Sequence, residues 1–223
     1  MQQKILKSKK NNKLKIRPAD SPDKYSLSFT TGALFHRESV MLAQLYLDRG
    51  DWISVRDIVL KENLLQTRTM NTLKRVSSEI VSRLKTLSSD ELQFLVDGSD
   101  QEQAYLLWLG VCRRYRFIAD FAAEVVRERY ISLKKDLTHE DYDSFCGRKS
   151  EWHSELNQIS PATKGKLRQV LFKMLREAGL LSAENMINAA MLSQRFLELI
   201  ESGNSRDVFY LPIHDSELKG LSQ

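Results

Sequence analysis

Ser160 to Leu181 reads SPATKGKLRQVLFKMLREAGLL, a helix with both of its ends written into the sequence. Ser160 is a good N-cap. Pro161 suits the first helical position, where its missing N–H has no partner to lose, and Gly179 suits the left-handed residue after a last turn. Leu167, Val170, Leu171, Met174, Leu175 and Ala178 share one side at helical spacing. Lys166, Arg168, Lys173 and Arg176 fall away from that stripe, with Lys164 at its edge. Ser182 is expected to cap a further helix beginning at Ala183. Two short-linked helices with basic charge on the presented one predict a helix-turn-helix unit that meets nucleic acid.

A second segment of the same kind lies nearer the N-terminus. A helix through Leu42–Leu47 should close at Arg49-Gly50, and Ile53–Lys61 should form a short second helix. A turn follows near Asn63, and Thr67 can cap a long third helix from Arg68 to Leu87. On that helix Met70, Leu73, Val76, Ile80, Val81, Leu84 and Leu87 make the expected buried stripe. Turning each residue by roughly 100° gathers Arg68, Asn71, Arg75, Ser78 and Ser82 on the opposite face. Arg and Asn pair two-pronged with guanine and adenine edges, and Ser and Arg also hold phosphates. An ordinary solvated helix face has the same composition. Glu62-Asn63-Leu64 stands where a simple helix-turn-helix carries a glycine.

Composition bounds the class. At 223 residues, with 42% hydrophobic and 28% charged side chains, the chain has the make-up of an ordinary globular protein. Its longest uncharged run, Tyr25–His36, is rich in Ser and Thr and too short for a membrane span, which needs about twenty apolar residues. The basic start runs into Asn11-Asn12 instead of an apolar core, so no secretory signal is expected. Cys112 and Cys146 make no disulfide framework, which fits a reduced, cytoplasmic setting. Seven of the 34 Lys and Arg residues fall within 1–17 with no acid among them, leaving 27 bases against 29 acids in the body. The excess charge therefore sits in an N-terminal arm. Lys9, Lys10 and Lys13 of that arm are candidate contacts to phosphate or a minor groove.

The expected organisation is a basic arm and linker over 1–24, an N-terminal helix-turn-helix unit over 25–87, central helices over 88–157, and a C-terminal helix-turn-helix unit with a tail over 158–223. Ser89 should cap a short helix, Asp90–Val96. Two central helices, Gln101–Tyr115 and Arg116–Leu133, should bury Leu106, Leu107, Trp108, Leu109, Val111, Phe117, Ile118, Phe121, Val125 and Val126. Another helix should run from Thr138 or His139 through Trp152, and Asp207–Ile213 reads as a strand or an extended tail. No internal repeat is present. The class is all-α, a compact helical protein with minimal β.

Little in the chain argues for an enzyme. His139, Cys146 and His153 are spaced by seven, about 10 Å of helical rise, whereas zinc ligands lie about 2.0–2.3 Å from one ion. No metal or other cofactor is expected. Asp120, Glu124 and Glu128 share a helix face, but no histidine or ligand set converges with them, and Arg127 and Arg129 make solvated ion pairs the default. Asp215 with Glu217-Leu218-Lys219 looks like the end of a nuclease motif, yet such a site needs a sheet to hold its carboxylates. Phosphate-loop, nucleophile-elbow and dinucleotide glycine patterns are absent. Trp52, Trp108 and Trp152 read as core or rim residues, with Trp52 placed to buttress the first unit.

Ser160–Lys164 leading into Leu167-Arg168 and on to Met174–Leu181, the entry Ser28–Leu34, and the helix Ala119-Asp120-Phe121 to Arg127 carry a likeness. In these segments the chain resembles the BrxA family of bacteriophage exclusion (BREX) defence systems. The likeness covers most of the sequence outside the arm. The resemblance implies an all-α protein that binds double-stranded DNA through two helix-turn-helix motifs, beside a DNA methyltransferase and other defence proteins. It does not assign contact residues. Those expected from the physics are Arg68, Asn71, Arg75 and Ser78 on one helix, Lys164, Lys166 and Arg168 at the start of another, where the dipole favours phosphate, and the arm lysines. A monomer, non-enzymatic and of modest sequence specificity, is the leading expectation. A protein-interaction adaptor whose basic faces meet acidic partners, and a helical RNA-binding module, are the alternatives.

Overall fold

The structure, a computed structural model, describes residues 24–30 and 32–214. The basic arm with Lys9, Lys10 and Lys13, and the segment Asp215–Lys219, lie outside the described residues. Among the described residues ten α-helices follow in order: α1 His36–Arg49, α2 Trp52–Glu62, α3 Met70–Leu84, α4 Ser89–Asp97, α5 Asp100–Arg114, α6 Arg116–Phe121, α7 Glu128–Ile131, α8 His139–Lys149, α9 Pro161–Glu177 and α10 Gln194–Ser202. A π-helical turn, Ala122–Arg127, joins α6 to α7, and 3-10 turns cover Ser154–Asn157 and Ser205–Tyr210. Among the described residues only isolated β-bridges stand where a sheet would be. The expected all-α class is correct.

Side-chain caps set most helix starts. Ser88, Ser99 and Thr138 each receive a backbone N–H three residues on, while Glu91, Glu102 and Asp141 reach back to the cap. Each such box satisfies two N–H groups that would otherwise lack partners. The first box also explains a one-residue correction. Ser88, not Ser89, opens α4, because Glu91 sits three residues beyond Ser88.

α5 is the axis of the core. Gln103 through Cys112 are all buried, and the helix packs on α1, α3, α4, α6 and α9. All ten residues expected at the centre, from Leu106 to Val126, are buried. Each buried Leu, Val or Phe side chain contributes about 1.5–3 kcal/mol over leaving it in water. Trp108 is fully enclosed, and its indole N–H donates to Tyr210 O at 2.9 Å. The Asp207–Ile213 segment is therefore no strand. It is a 3-10 turn that seats Val208, Leu211 and Ile213 in the core. Arg113 ties this turn to α4, donating to both Glu91 and Asp207 and to Thr86 O.

Residues 24–30 and 32–35 form a strap across the molecule. Tyr25 stacks on His153 at 3.7 Å and meets Phe117 edge-on, and Phe29 packs on Tyr115 and Phe117. A Cβ on Gly32 would fall 2.3 Å from a methyl of Val170, so only glycine lets the strap approach α9. The Leu34 N–H then donates to Glu177 of that helix.

Four further expectations are corrected. No helix begins at Ala183. Ser182 instead accepts from Glu184 N and Met186 N, Asn185 is left-handed at φ 63°, and Leu181 pairs with Ile187 across a tight turn. α3 starts at Met70, capped by Thr69 rather than Thr67, and it ends at Leu84. Met70, expected in the buried stripe, is 51% exposed because it occupies the first turn, beyond the edge of the core. α8 ends at Lys149 rather than running through Trp152, which is exposed.

Candidate nucleic-acid interface

α1, α2 and α3 each pack on the other two. The turn from α2 to α3 lacks glycine, and two residues take the left-handed region in its stead, Asn63 at φ 48° and Gln66 at φ 48°. Asn tolerates this conformation better than branched residues do. The Asn63 side chain then closes the turn, donating to Thr67 O and accepting from Thr67 N, both at 3.1 Å. Thr67 is thus spent inside the turn, and Thr69 is left to cap α3 by accepting from Thr72 N. Arg68 lies exposed in this turn, ahead of the helix it was expected to start.

Asn71, Arg75 and Ser78 are exposed on α3, as expected, and Lys74 and Lys85 extend the same basic flank. Among the described residues none of Arg68, Lys74, Arg75 and Lys85 has a carboxylate within ion-pairing distance. The acid that could neutralise the helix, Glu79, is turned inward. It receives the Arg83 guanidinium at 2.8 Å and the Tyr115 hydroxyl at 2.6 Å. Burial, reinforced by that bond, pushes the Tyr115 phenol up to about 12, so it remains a donor.

The second basic surface lies on α9. Ser160 caps it by accepting from Thr163 N at 3.1 Å, with Pro161 at the first position as expected. Gly179 is left-handed at φ 73°, and Leu180 N and Gly179 N bond back to Leu175 O and Arg176 O, a Schellman ending. The three cations expected at its start are not equivalent. Lys164 and Arg168 both turn toward α8 and pair with Asp143, at 3.3 and 2.9 Å, whereas Lys166 is exposed. The exposed stripe is Lys166, Gln169, Lys173 and Arg176, at spacings of three, four and three. Lys173 shares its charge with Glu177 at 3.6 Å, and Arg176 donates to Asn185 at 2.6 Å. Gln169 is the member that sequence reasoning missed. Its signal was its place in that same helical register.

Asn185 belongs to the turn that follows α9. Leu181 pairs with Ile187, and Met186 pairs with Asp136, which lies shortly before α8. Leu137 N to Asn185 O and Ile187 N to Lys135 O bind the three segments together. The order is helix, bridged segment, α8, α9, bridged segment, tight turn, bridged segment.

The strap places the root of the N-terminal arm. Tyr25 N donates to Glu155 and its hydroxyl to Asp120, so the chain enters the fold beside the residues leading into α9. In sequence the arm adjoins α1–α3.

The remaining candidates sit in ion pairs and packing contacts. Asp120 and Glu124 pair with Lys149 of α8, not with Arg127 or Arg129. Cys146 is buried on α8, His139 packs on Phe172, and His153 lies under Tyr25. Among the described residues no three metal-ligating side chains gather. No helix among them is long and apolar enough to cross a membrane.

A model of the BrxA family matches residues 23–204. The chain belongs to the BrxA family. It is similar to the BREX protein BrxA of Escherichia coli O9:H4 (strain HS), with 30% identity over 148 residues, which are 66% of this chain and 70% of that one. The BREX protein BrxA of Paramagnetospirillum magneticum (strain ATCC 700264 / AMB-1) is 24% identical over 187 residues, 83% of this chain and 94% of the relative. The crystal structure of an uncharacterized protein from Magnetospirillum magneticum has the same fold. It superposes with a TM-score of 0.73 at 21% identity, covering 85% of this chain and 98% of that one.

Proposed function

We propose that this BrxA-family protein is a non-enzymatic, double-stranded-DNA-binding component of a BREX defence system, working beside its other proteins. The observation that carries this is the pair of exposed basic helix faces: Asn71, Lys74, Arg75 and Ser78 on α3, and Lys166, Gln169, Lys173 and Arg176 on α9. α2 and α3 act as a helix-turn-helix with a lengthened turn. α8 and α9, framed by the three bridged segments, act as a winged helix, in which α9 enters the groove and the Ser182–Met186 turn lies over the backbone. The three arm lysines add phosphate contacts. Phosphates supply most of the affinity of such surfaces, so sequence preference is modest.

Fluorescence anisotropy of the full chain against an arbitrary duplex of about two helical turns, at several salt concentrations, tests this. A linear fall of log affinity with log salt supports it. Absence of duplex binding at low salt overturns it in favour of the adaptor reading, while preference for an RNA duplex of matched length supports the RNA module.

A further inference from the structure

α2 and α3 leave between them a cleft on the flank of the proposed duplex-binding face. It encloses about 390 Å3, within the roughly 300–1,000 Å3 of small-ligand sites. Its charged lining is Arg56 of α2, Lys74 of α3 and Lys85 just beyond α3, and among the described residues no carboxylate lines it. All three are exposed, and among the described residues none has an acid within ion-pairing distance. Asp51 is near enough to feel Lys85. Its carboxylate is already held below the usual range by the Ser54 hydroxyl and by the N–H groups of Ser54 and Ile53, whose bonds cap α2. Three like charges facing one volume repel each other, and an anion placed there relieves that repulsion.

The hydroxyls narrow the chemistry further. Ser77 donates to Lys74 O at 3.2 Å and Ser82 to Glu79 O at 2.8 Å, so Ser78 is the hydroxyl left to donate into the cleft. Beside Arg56, the α2 wall also carries two large apolar groups. Trp52 stacks on Tyr46 at 4.1 Å and 15°, which holds the indole in place, and Ile53 beside it is 72% exposed. An anionic group on one side and a flat ring on the other are the two halves of a nucleotide.

We propose that the α2–α3 cleft binds one nucleotide unit, its phosphate on Arg56, Lys74, Lys85 and Ser78 and its base against Trp52 and Ile53. A paired base cannot present its face to a side chain, so the ligand is a free nucleoside phosphate or an unpaired nucleotide of a single strand. This goes beyond duplex binding and does not depend on it.

Isothermal titration of the full chain, with no duplex present, separates the sources. The probes are ATP, a single-stranded hexathymidylate and inorganic pyrophosphate. Saturable binding of ATP identifies a free nucleotide, and binding of the hexanucleotide alone identifies a strand. Either is expected to be at least about fivefold tighter than pyrophosphate, because the base adds a stacking contribution. Arg56→Gln/Lys85→Gln should weaken that binding about tenfold or more, and Trp52→Leu about fivefold or more. Lys134→Gln/Arg148→Gln, an equal charge change on exposed residues elsewhere, should leave it within about twofold. Melting curves verify folding, and the two charge variants decide the outcome should Trp52→Leu fail to fold. The proposal is overturned if neither nucleotide probe binds, if pyrophosphate binds as tightly as both, or if the remote pair weakens binding as much as the cleft pair.

Discussion

Asp143 determines which cations of α9 are free. One exposed carboxylate on α8 pairs with both Lys164 and Arg168 and leaves them half-buried, and the helix presents Lys166, Lys173 and Arg176 as its exposed cations. Neither cation could be placed from the helical wheel alone. The stripe shows which side of a helix is apolar, but an ion pair between two separate elements leaves no local periodicity to read. Surface pairs of this kind contribute about 0–1 kcal/mol to stability. Asp143→Asn should therefore change the unfolding free energy by less than about 1 kcal/mol. It should also release two cations, tightening duplex binding several-fold at low salt, as read by anisotropy.

Arg113 is a contrasting case. Burial opposes ionisation of both its partners. At Glu91 the bonds from Arg113 and Ser88 together overcome burial and hold the carboxyl below its usual range, whereas at Asp207 burial prevails and the carboxyl is raised. Arg113→Met leaves two buried carboxylates without a countercharge, which should destabilise the fold by about 3–5 kcal/mol near neutral pH. Without the guanidinium, burial is expected to prevail at both carboxyls and to raise their folded-state pKa values above the unfolded values of about 4. The destabilisation is then complete well above those folded values and shrinks as pH falls and the acids take up protons. Urea unfolding of variant and parent at about pH 7.5 and about pH 5 should show the gap narrowing at the lower pH. An equal gap at both would contradict the assignment.

At the scale of elements, the helices whose caps and stripes agree were legible. Ser160, Pro161 and Gly179 do in the fold what their chemistry predicts for α9, and Gly50 closes α1 as expected. Gly179→Ala puts a Cβ into a left-handed position 2.9 Å from the Gln101 amide. It should cost about 1–2 kcal/mol, measured by chemical denaturation. The misplaced elements share a cause. Ser182-Ala183-Glu184 has the composition of a helix start, but Ser182 binds N–H groups two and four residues on, and the bridges to Ile187 and Asp136 hold the backbone extended. The bridge between Met186 and Asp136 joins residues far apart in the chain, beyond the reach of any local pattern. The start of α3 slipped by two residues because Thr67 and Thr69 are both competent caps, and the choice between them belongs to Asn63.

For the whole molecule, the sequence made the all-α class, the central core and the family resemblance readable, while the point at which the chain enters the fold, at Tyr25 beside Glu155, came from the strap. Tyr25, Phe29 and Leu34 run from the Glu155 turn past α6 to α9. Deleting residues 1–20 should therefore weaken duplex binding together with the α9 surface rather than with α3. Combined with Lys173→Gln/Arg176→Gln, the deletion should be non-additive in a double-mutant cycle, and with Arg68→Gln/Arg75→Gln it should be additive within about 0.5 kcal/mol. Additivity in both cycles would show that the arm acts independently of its root.

The most direct test of the central claim is the salt slope of duplex binding in two variants of equal charge change. Lys173→Gln/Arg176→Gln removes cations from the exposed stripe, and Lys164→Gln/Arg168→Gln removes cations paired with Asp143. Removing one phosphate contact should flatten the slope of log affinity against log salt by about 0.9. The first pair is predicted to flatten it by nearly twice that amount and the second to leave it almost unchanged. Equal flattening by both pairs, or none by the first, would contradict a duplex lying on the exposed face of α9.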